Sequence, residues 1–232
     1  MPERIPHGVY GSNQYKEQTR VFRDRQHAGD VLARMLHPYQ KVINMVLGIP
    51  AGGVPVGAVV AEILRIPFDV AVVSKITLPW NTEAGYGAVA FDGTVQLNKA
   101  LMAQIGLSET EIRAGIEATT TKVRRRVENL RKKSPFPALS GQSIILVDDG
   151  LASGFTMLVA VEALKKAGAE RIIVAVPTAH KGSMSAIVSK VTAVFCPNIR
   201  SAWRYAVADA YERWSDVDES EVMRILGCFL QR

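Results

Sequence analysis

The segment Ile144–Met157, IILVDDGLASGFTM, constrains this chain more than any other. An apolar run bounded by turn residues reads as a buried strand, over Ser143–Val147, and the pattern resumes as a helix over Thr156–Ala167. Between them lie two adjacent carboxylates, Asp148 and Asp149, and a loop of Gly150, Leu151, Ala152, Ser153 and Gly154. Small residues and glycines let consecutive backbone N–H groups curl around an anion, and the start of a helix adds unpaired donors and a positive dipole. Ser153 and Thr156 can add hydroxyl donors. The loop carries no G-K-[ST] and no GxGxxG, so it is neither a Walker loop nor the glycine fingerprint of a nicotinamide dehydrogenase. The acidic pair would repel a phosphate, but it suits vicinal ribose hydroxyls, which donate to carboxylates. A phosphate cradle beside a diol site describes a 5-phosphoribosyl group.

The rest of the chain alternates between helical and strand-like periods, which predicts an α/β fold. Ala28, Val31, Leu32, Met35 and Leu36 recur at helical spacing, predicting a helix over Arg25–Leu36. Val42–Ile49 and Phe68–Ser74 read as buried strands, with a helix over Pro55–Leu64 between them. Weak strand signals follow at Gly87–Phe91 and Thr94–Leu97. Ser108 and Glu111 have the spacing of a capping box at the head of a long helix, ended by SPFPALSG. Further strands are predicted at Arg171–Val176 and Val191–Phe195. Runs this continuous belong in a mainly parallel, twisted sheet covered by helices on both faces, with any ligand along the carboxyl edge. Residues 1–20 read as a polar extension and 21–232 as one domain.

Four stretches in order resemble the type I phosphoribosyltransferase family, and in particular a group of unassigned acceptor: FRDRQHAG near Phe22, IPAGGVPVG at Ile49, SKITLPWNTEAGYGAVAFDG from Ser74, and VDDGLASGFTM. The resemblance implies an enzyme that transfers the phosphoribosyl group of phosphoribosyl pyrophosphate (PRPP) to a nitrogenous, purine- or pyrimidine-like acceptor. Pyrophosphate leaves through an oxocarbenium-like transition state, with Mg²⁺ stabilising the leaving group. It implies that Asp148 and Asp149 hold the ribose hydroxyls and the metal, and that Gly150, Leu151, Ala152, Ser153, Gly154, Phe155 and Thr156 bind PRPP around its 5-phosphate. Ala51, Gly52 and Gly53 match the pyrophosphate loop, and Lys75 matches a basic residue that neutralises the leaving group. Residues 76–98 would form a small hood, in which Glu83 is the candidate base; Lys75, Asp149 and Glu83 make up the expected catalytic set. Trp203, Tyr205, Asp209 and Tyr211, in the C-terminal tail 200–232, are the expected acceptor site.

The chain departs from the family pattern in two places. Ala152 stands where 6-oxopurine enzymes carry an aspartate, which turns the reading toward adenine- or orotate-type loops. Ala51 stands where many relatives have arginine, lysine or a hydroxyl residue, so pyrophosphate has one side-chain contact fewer.

Composition narrows the partners. The net charge of +6 fits an anionic small substrate as well as a nucleic acid. The run Lys122-Val-Arg-Arg-Arg, interleaved with Val123, Val127 and Leu130, reads as the wet face of an amphipathic helix, so no nucleic-acid contact is expected from it. The competing reading is a regulatory protein of the same fold that senses PRPP and binds RNA or DNA through that helix. Cys196 and Cys228 have no metal-ligand or redox spacing, and the polar N-terminus has no apolar core. Pro50, Gly52, Gly53 and Pro55 interrupt the uncharged stretch Val42–Ala61, so it is not read as a membrane span. A cytoplasmic protein is expected, and the resemblance adds a homodimer.

Overall fold

The computed structural model describes residues 5–132 and 134–230, with the side chains at 82–84, 100 and 230 outside the description. The chain opens with β1 (Gly8–Tyr10) and α1 (Arg25–Leu36), then β2 (Met45–Gly48), α2 (Gly53–Leu64) and β3 (Phe68–Val70). Next come β4 (Val73–Leu78), β5 (Asn81–Ala90) and β6 (Val95–Leu97), followed by α3 (Lys99–Ile105) and α4 (Glu109–Arg131). The second half runs β7 (Ser143–Val147), α5 (Phe155–Lys166), β8 (Arg171–Ala175), β9 (Thr178–His180) and α6 (Lys181–Val188). It ends with β10 (Ala193–Phe195), β11 (Asn198–Arg200) and α7 (Glu219–Leu230).

Six strands form one parallel sheet in the order β1-β10-β8-β7-β2-β3. All five residues of β7 are buried, and they serve opposite faces by the pleat. Ile145 and Val147 join the apolar layer under α1, α2 and α4, while Ile144 and Leu146 join the layer under α5 and α6. That two-sided burial is why β7 reads as an unbroken apolar run and why its carboxyl end emerges where helices begin.

Local signals place the helices. The Asp24 side chain accepts from the His27 N–H and starts α1 at the predicted residue. Ser108 and Glu111 form the reciprocal capping box at the head of α4. On α4, Lys122, Arg124 and Arg125 are exposed while Val123 and Leu130 are buried, so the basic run lies on the wet side.

The structure departs from these expectations in several places. Phe68–Ser74 is not one strand: β3 ends at Val70, and Val73 begins β4 in a separate antiparallel sheet, β4-β5-β6. That sheet is the small hood, and β5 starts earlier than its apolar residues indicate. Residues 8–10, assigned to a polar extension, form an edge strand of the main sheet beside β10. Strands β9 and β11, which no pattern signalled, pair with each other in parallel beyond the sheet's carboxyl edge.

Candidate active site

The site begins where β7 ends. Asp148 and Asp149 turn the chain out of the sheet, and the Asp149 N–H donates to Asp148 Oδ1 at 2.9 Å. The loop after them is pinned to its neighbours: Leu151 N–H donates to Thr178 O and His180 N–H to Leu151 O, both at 2.9 Å. The Ser183 hydroxyl donates to Ala152 O. Gly154 then adopts φ 73° to cap α5, a left-handed conformation that glycine accepts without strain. Ala152 and Ser153 are exposed at the head of α5, whose first N–H groups have no intrahelical acceptor. Phe155 and Thr156 make its first turn, half-buried. An anion is at home here.

The turn between β2 and α2 comes up against this junction. Ile49 N–H donates to Val147 O at 2.8 Å, which carries Ala51, Gly52 and Gly53 to the acidic pair. A Cβ on Gly52 would overlap the Asp149 carboxylate, and one on Gly53 would lie 2.5 Å from Val147 O. Only glycine permits this approach. The structure therefore brings together the acidic pair, the loop through Thr156 and the Gly52–Gly53 turn, which lie about a hundred residues apart in sequence.

Electrostatics set the two carboxyls apart. Burial, and then the charge of Asp149, raise the Asp148 carboxyl well above the ordinary range. Burial raises Asp149 as well, but the Arg25 guanidinium opposes it. Arg25 Nε donates to Asp149 Oδ2 at 2.9 Å, and its Nη1 donates to Ser215 O at 2.7 Å. The Arg25 Cζ lies 3.9 Å from the centroid of the Trp214 ring. Sequence reasoning missed Arg25: FRDRQHAG is matched as a stretch, and nothing local marks which arginine crosses to the acidic pair.

The remaining expected residues are more dispersed. Lys75 occupies β4 of the hood, opposite Ala88 of β5, rather than the end of a strand of the parallel sheet. Its stem runs beside Gly85. Glu83 falls within β5, and its side chain lies outside the described residues. Trp203 is almost wholly exposed, at 98%. The Tyr205 hydroxyl donates to Thr178 Oγ1 at 3.2 Å, and Thr178 in turn borders Gly150. Asp209 accepts from Arg200 Nη2 at 3.4 Å, so it fixes the tail loop. Tyr211 is 3% exposed, its ring packed by Phe22 and Trp214, and it has no open face for stacking on an acceptor. Its hydroxyl instead donates to Asp149 O at 2.6 Å. Burial raises the Tyr211 pKa, which keeps that hydroxyl a donor.

A groove of about 870 Å³ runs between α2, α7 and the segment before α7, with Val59, Trp214, Ile225 and Phe229 among its walls. The acidic pair is not part of that lining. Carboxylates and backbone donors converge instead at the sheet edge. No helix among the described residues is long and apolar enough to cross a membrane.

Known proteins of similar sequence and fold identify the family. Two Mycobacterium tuberculosis proteins, from strains CDC 1551 and H37Rv, bear the names "Putative phosphoribosyl transferase MT0597" and "Putative phosphoribosyl transferase Rv0571c". Each is 30% identical over 207 residues, which cover 89% of this chain and 46% of theirs. The chain thus spans about half the length of these relatives. The crystal structure of TT1426 from Thermus thermophilus superimposes with a TM-score of 0.72 at 32% identity, over 88% of this chain and 97% of that one. The model of the phosphoribosyl transferase domain matches residues 25–210, from Arg25 through the acidic pair to the residue before Tyr211. With four-fifths of its length matched and the cradle, acidic pair and glycine turn assembled at one sheet edge, the chain belongs to the phosphoribosyl transferase domain family.

Proposed function

We propose that this chain is a phosphoribosyltransferase that moves the 5-phosphoribosyl group of PRPP to a nitrogenous acceptor and releases pyrophosphate. The observation that carries this reading is the contact of the Gly52–Gly53 turn with Asp148 and Asp149 at the head of α5. Three binding elements then lie side by side in the order the substrate needs. The loop through Thr156 takes the 5-phosphate, the acidic pair accepts from the ribose hydroxyls, and the backbone at Gly52 and Gly53 meets the pyrophosphate.

Mg²⁺ fits this donor set. The carboxylate oxygens are hard ligands, and no group of three or more metal-ligating side chains occurs among the described residues, so most ligands would be substrate oxygens. Asp148 and Asp149 would hold the ion, which when bound stabilises charge on the departing pyrophosphate. The chain's own part is orientation: a rigid cradle at one end of the substrate and a close-fitting turn at the other. Lys75, on β4 of the hood, is the proposed basic residue for the leaving group and Glu83 of β5 the proposed base, while Tyr205, beside Thr178 and Gly150, belongs with Trp203 to the acceptor side.

The test combines PRPP, Mg²⁺ and a panel of nitrogenous bases and follows pyrophosphate release. Acceptor-dependent release is expected, and PRPP with Mg²⁺ raises the melting temperature of the wild type by ligand linkage. Asp149→Asn should abolish that rise. Equal stabilisation of both proteins overturns the assignment of the acidic pair, and binding without turnover on any base favours a PRPP sensor.

A further inference from the structure

We infer that Arg25 is a positioning residue for PRPP, acting through Asp149, and that the C-terminal segment around Trp214 and Ser215 holds it in place. The inference rests on the phosphoribosyltransferase reading and deepens it.

The guanidinium has three simultaneous attachments. Nε donates to Asp149 Oδ2, Nη1 donates to Ser215 O, and the plane lies against the Trp214 ring. Only 11% of the side chain is exposed, and 15% of that of Asp149. An arginine with its fork committed in this way is a fixed strut rather than a mobile counter-ion. It bonds one carboxylate oxygen, Oδ2, which also faces Gly52. The rotamer of Asp149 is thus locked between the arginine and the glycine turn, with its carboxyl beside that of Asp148.

The backbone supports the same strut. Residues 20–23 run alongside 209–213: Phe22 N–H donates to Ala210 O at 3.0 Å, Glu212 N–H to Phe22 O at 2.8 Å and Arg213 N–H to Arg23 O at 2.9 Å. Asp24, which caps α1, also receives Arg213 Nη2 at 2.5 Å. The Tyr211 hydroxyl holds the Asp149 carbonyl from the same segment. Main chain and side chain of Asp149 are therefore gripped from one place. The Arg25 guanidinium also offsets the repulsion between the two adjacent, half-buried carboxyl groups.

Calorimetric titration of the whole chain with PRPP in Mg²⁺ tests this without an identified acceptor. Arg25→Met should weaken the dissociation constant about tenfold or more, Arg25→Lys should recover part of the loss, and Trp214→Leu should weaken it by a smaller factor. Apo melting temperatures recorded alongside separate stability from affinity. If Arg25→Met does not fold, Arg25→Lys and Trp214→Leu carry the test, and wild-type affinity in both overturns the inference. Arg25→Met with wild-type affinity overturns it, as does tighter binding, which would make Arg25 a block rather than a support. If the wild type gives no response to PRPP, the functional reading falls and the inference with it. A normal wild-type response with unaffected variants removes the inference alone.

Discussion

Asp148 sits half-buried at the end of β7, beside a second carboxyl group. Its carboxyl is raised by burial and by the neighbouring charge of Asp149, so in the folded chain it holds its proton to a higher pH than in the unfolded chain. The contribution of such a group is present below its unfolded pKa, about pH 4, and is lost as pH rises through the raised folded value. Asp148→Asn removes that slope. The apo variant should melt a few degrees higher than the wild type at pH 8, on the order of 1 kcal/mol, with the gap closing toward pH 4. It should also lose the response to PRPP. Thermal melts from pH 4 to 9 check this, and parallel curves for the two proteins would refute it. The pair itself was legible in the sequence because two adjacent carboxylates and the small residues after them form a local pattern. Arg25 was not, because its ion pair with Asp149 spans 124 residues and an arginine at the head of a helix looks the same whatever it reaches.

Elements were legible where one face or one cap specified them. Helix α1 and strand β7 have the predicted boundaries because Asp24 and the apolar run of β7 act within a few residues. FDVAVVS was misread because an apolar strand residue looks alike in the parallel sheet and in the hood. The break falls where Ala71 N–H makes the last bond to Gly48 O and the chain turns away. One ion pair fixes how the hood's supporting helix meets the sheet. Arg131, at the end of α4 and 5% exposed, faces Asp69 of β3, which is 25% exposed, at 2.5 Å. The Arg131 Nη1 has the ion pair but no hydrogen bond of good geometry. Losing the carboxylate removes the counter-charge of a buried cation that keeps Ser134 O, Pro135 O and the Phe136 ring as neutral partners, whereas losing the arginine leaves an acid that water reaches and that still accepts from Val70 N–H. Asp69→Asn should therefore cost about 3 kcal/mol, and Arg131→Met less. Urea unfolding with an unchanged slope would establish the order, and the reverse order would contradict it.

At the scale of the whole molecule, both ends of the described chain close around the sheet. The C-terminal segment grips the acidic turn, as Tyr211 and Trp214 show, and the N-terminal segment closes the far edge. β1 lies parallel to β10, Cys196 N–H donates to Tyr10 O at 2.8 Å, and the Tyr10 ring stacks on Phe195 at 4.5 Å. Farther on, Glu17 N–H donates to Ile199 O at 3.1 Å and Asn198 Nδ2 donates to Gln18 O at 3.1 Å. A three-residue strand with one half-buried face has no periodic signal, so pairing partners decide its structure and the polar sequence around it conceals them. Without β1, strand β10 becomes the edge, with apolar residues and unpaired backbone groups facing outward. Deleting residues 1–11 should lower the melting temperature by roughly 5 °C and produce larger species in sedimentation velocity than the full chain shows. The PRPP-induced rise in melting temperature should persist, since Arg25 and the acidic pair remain tied to the C-terminal segment. A deletion that melts and sediments like the full chain would show that β1 contributes nothing to closing the sheet. Loss of the PRPP response alone would show that the two ends are coupled through the site.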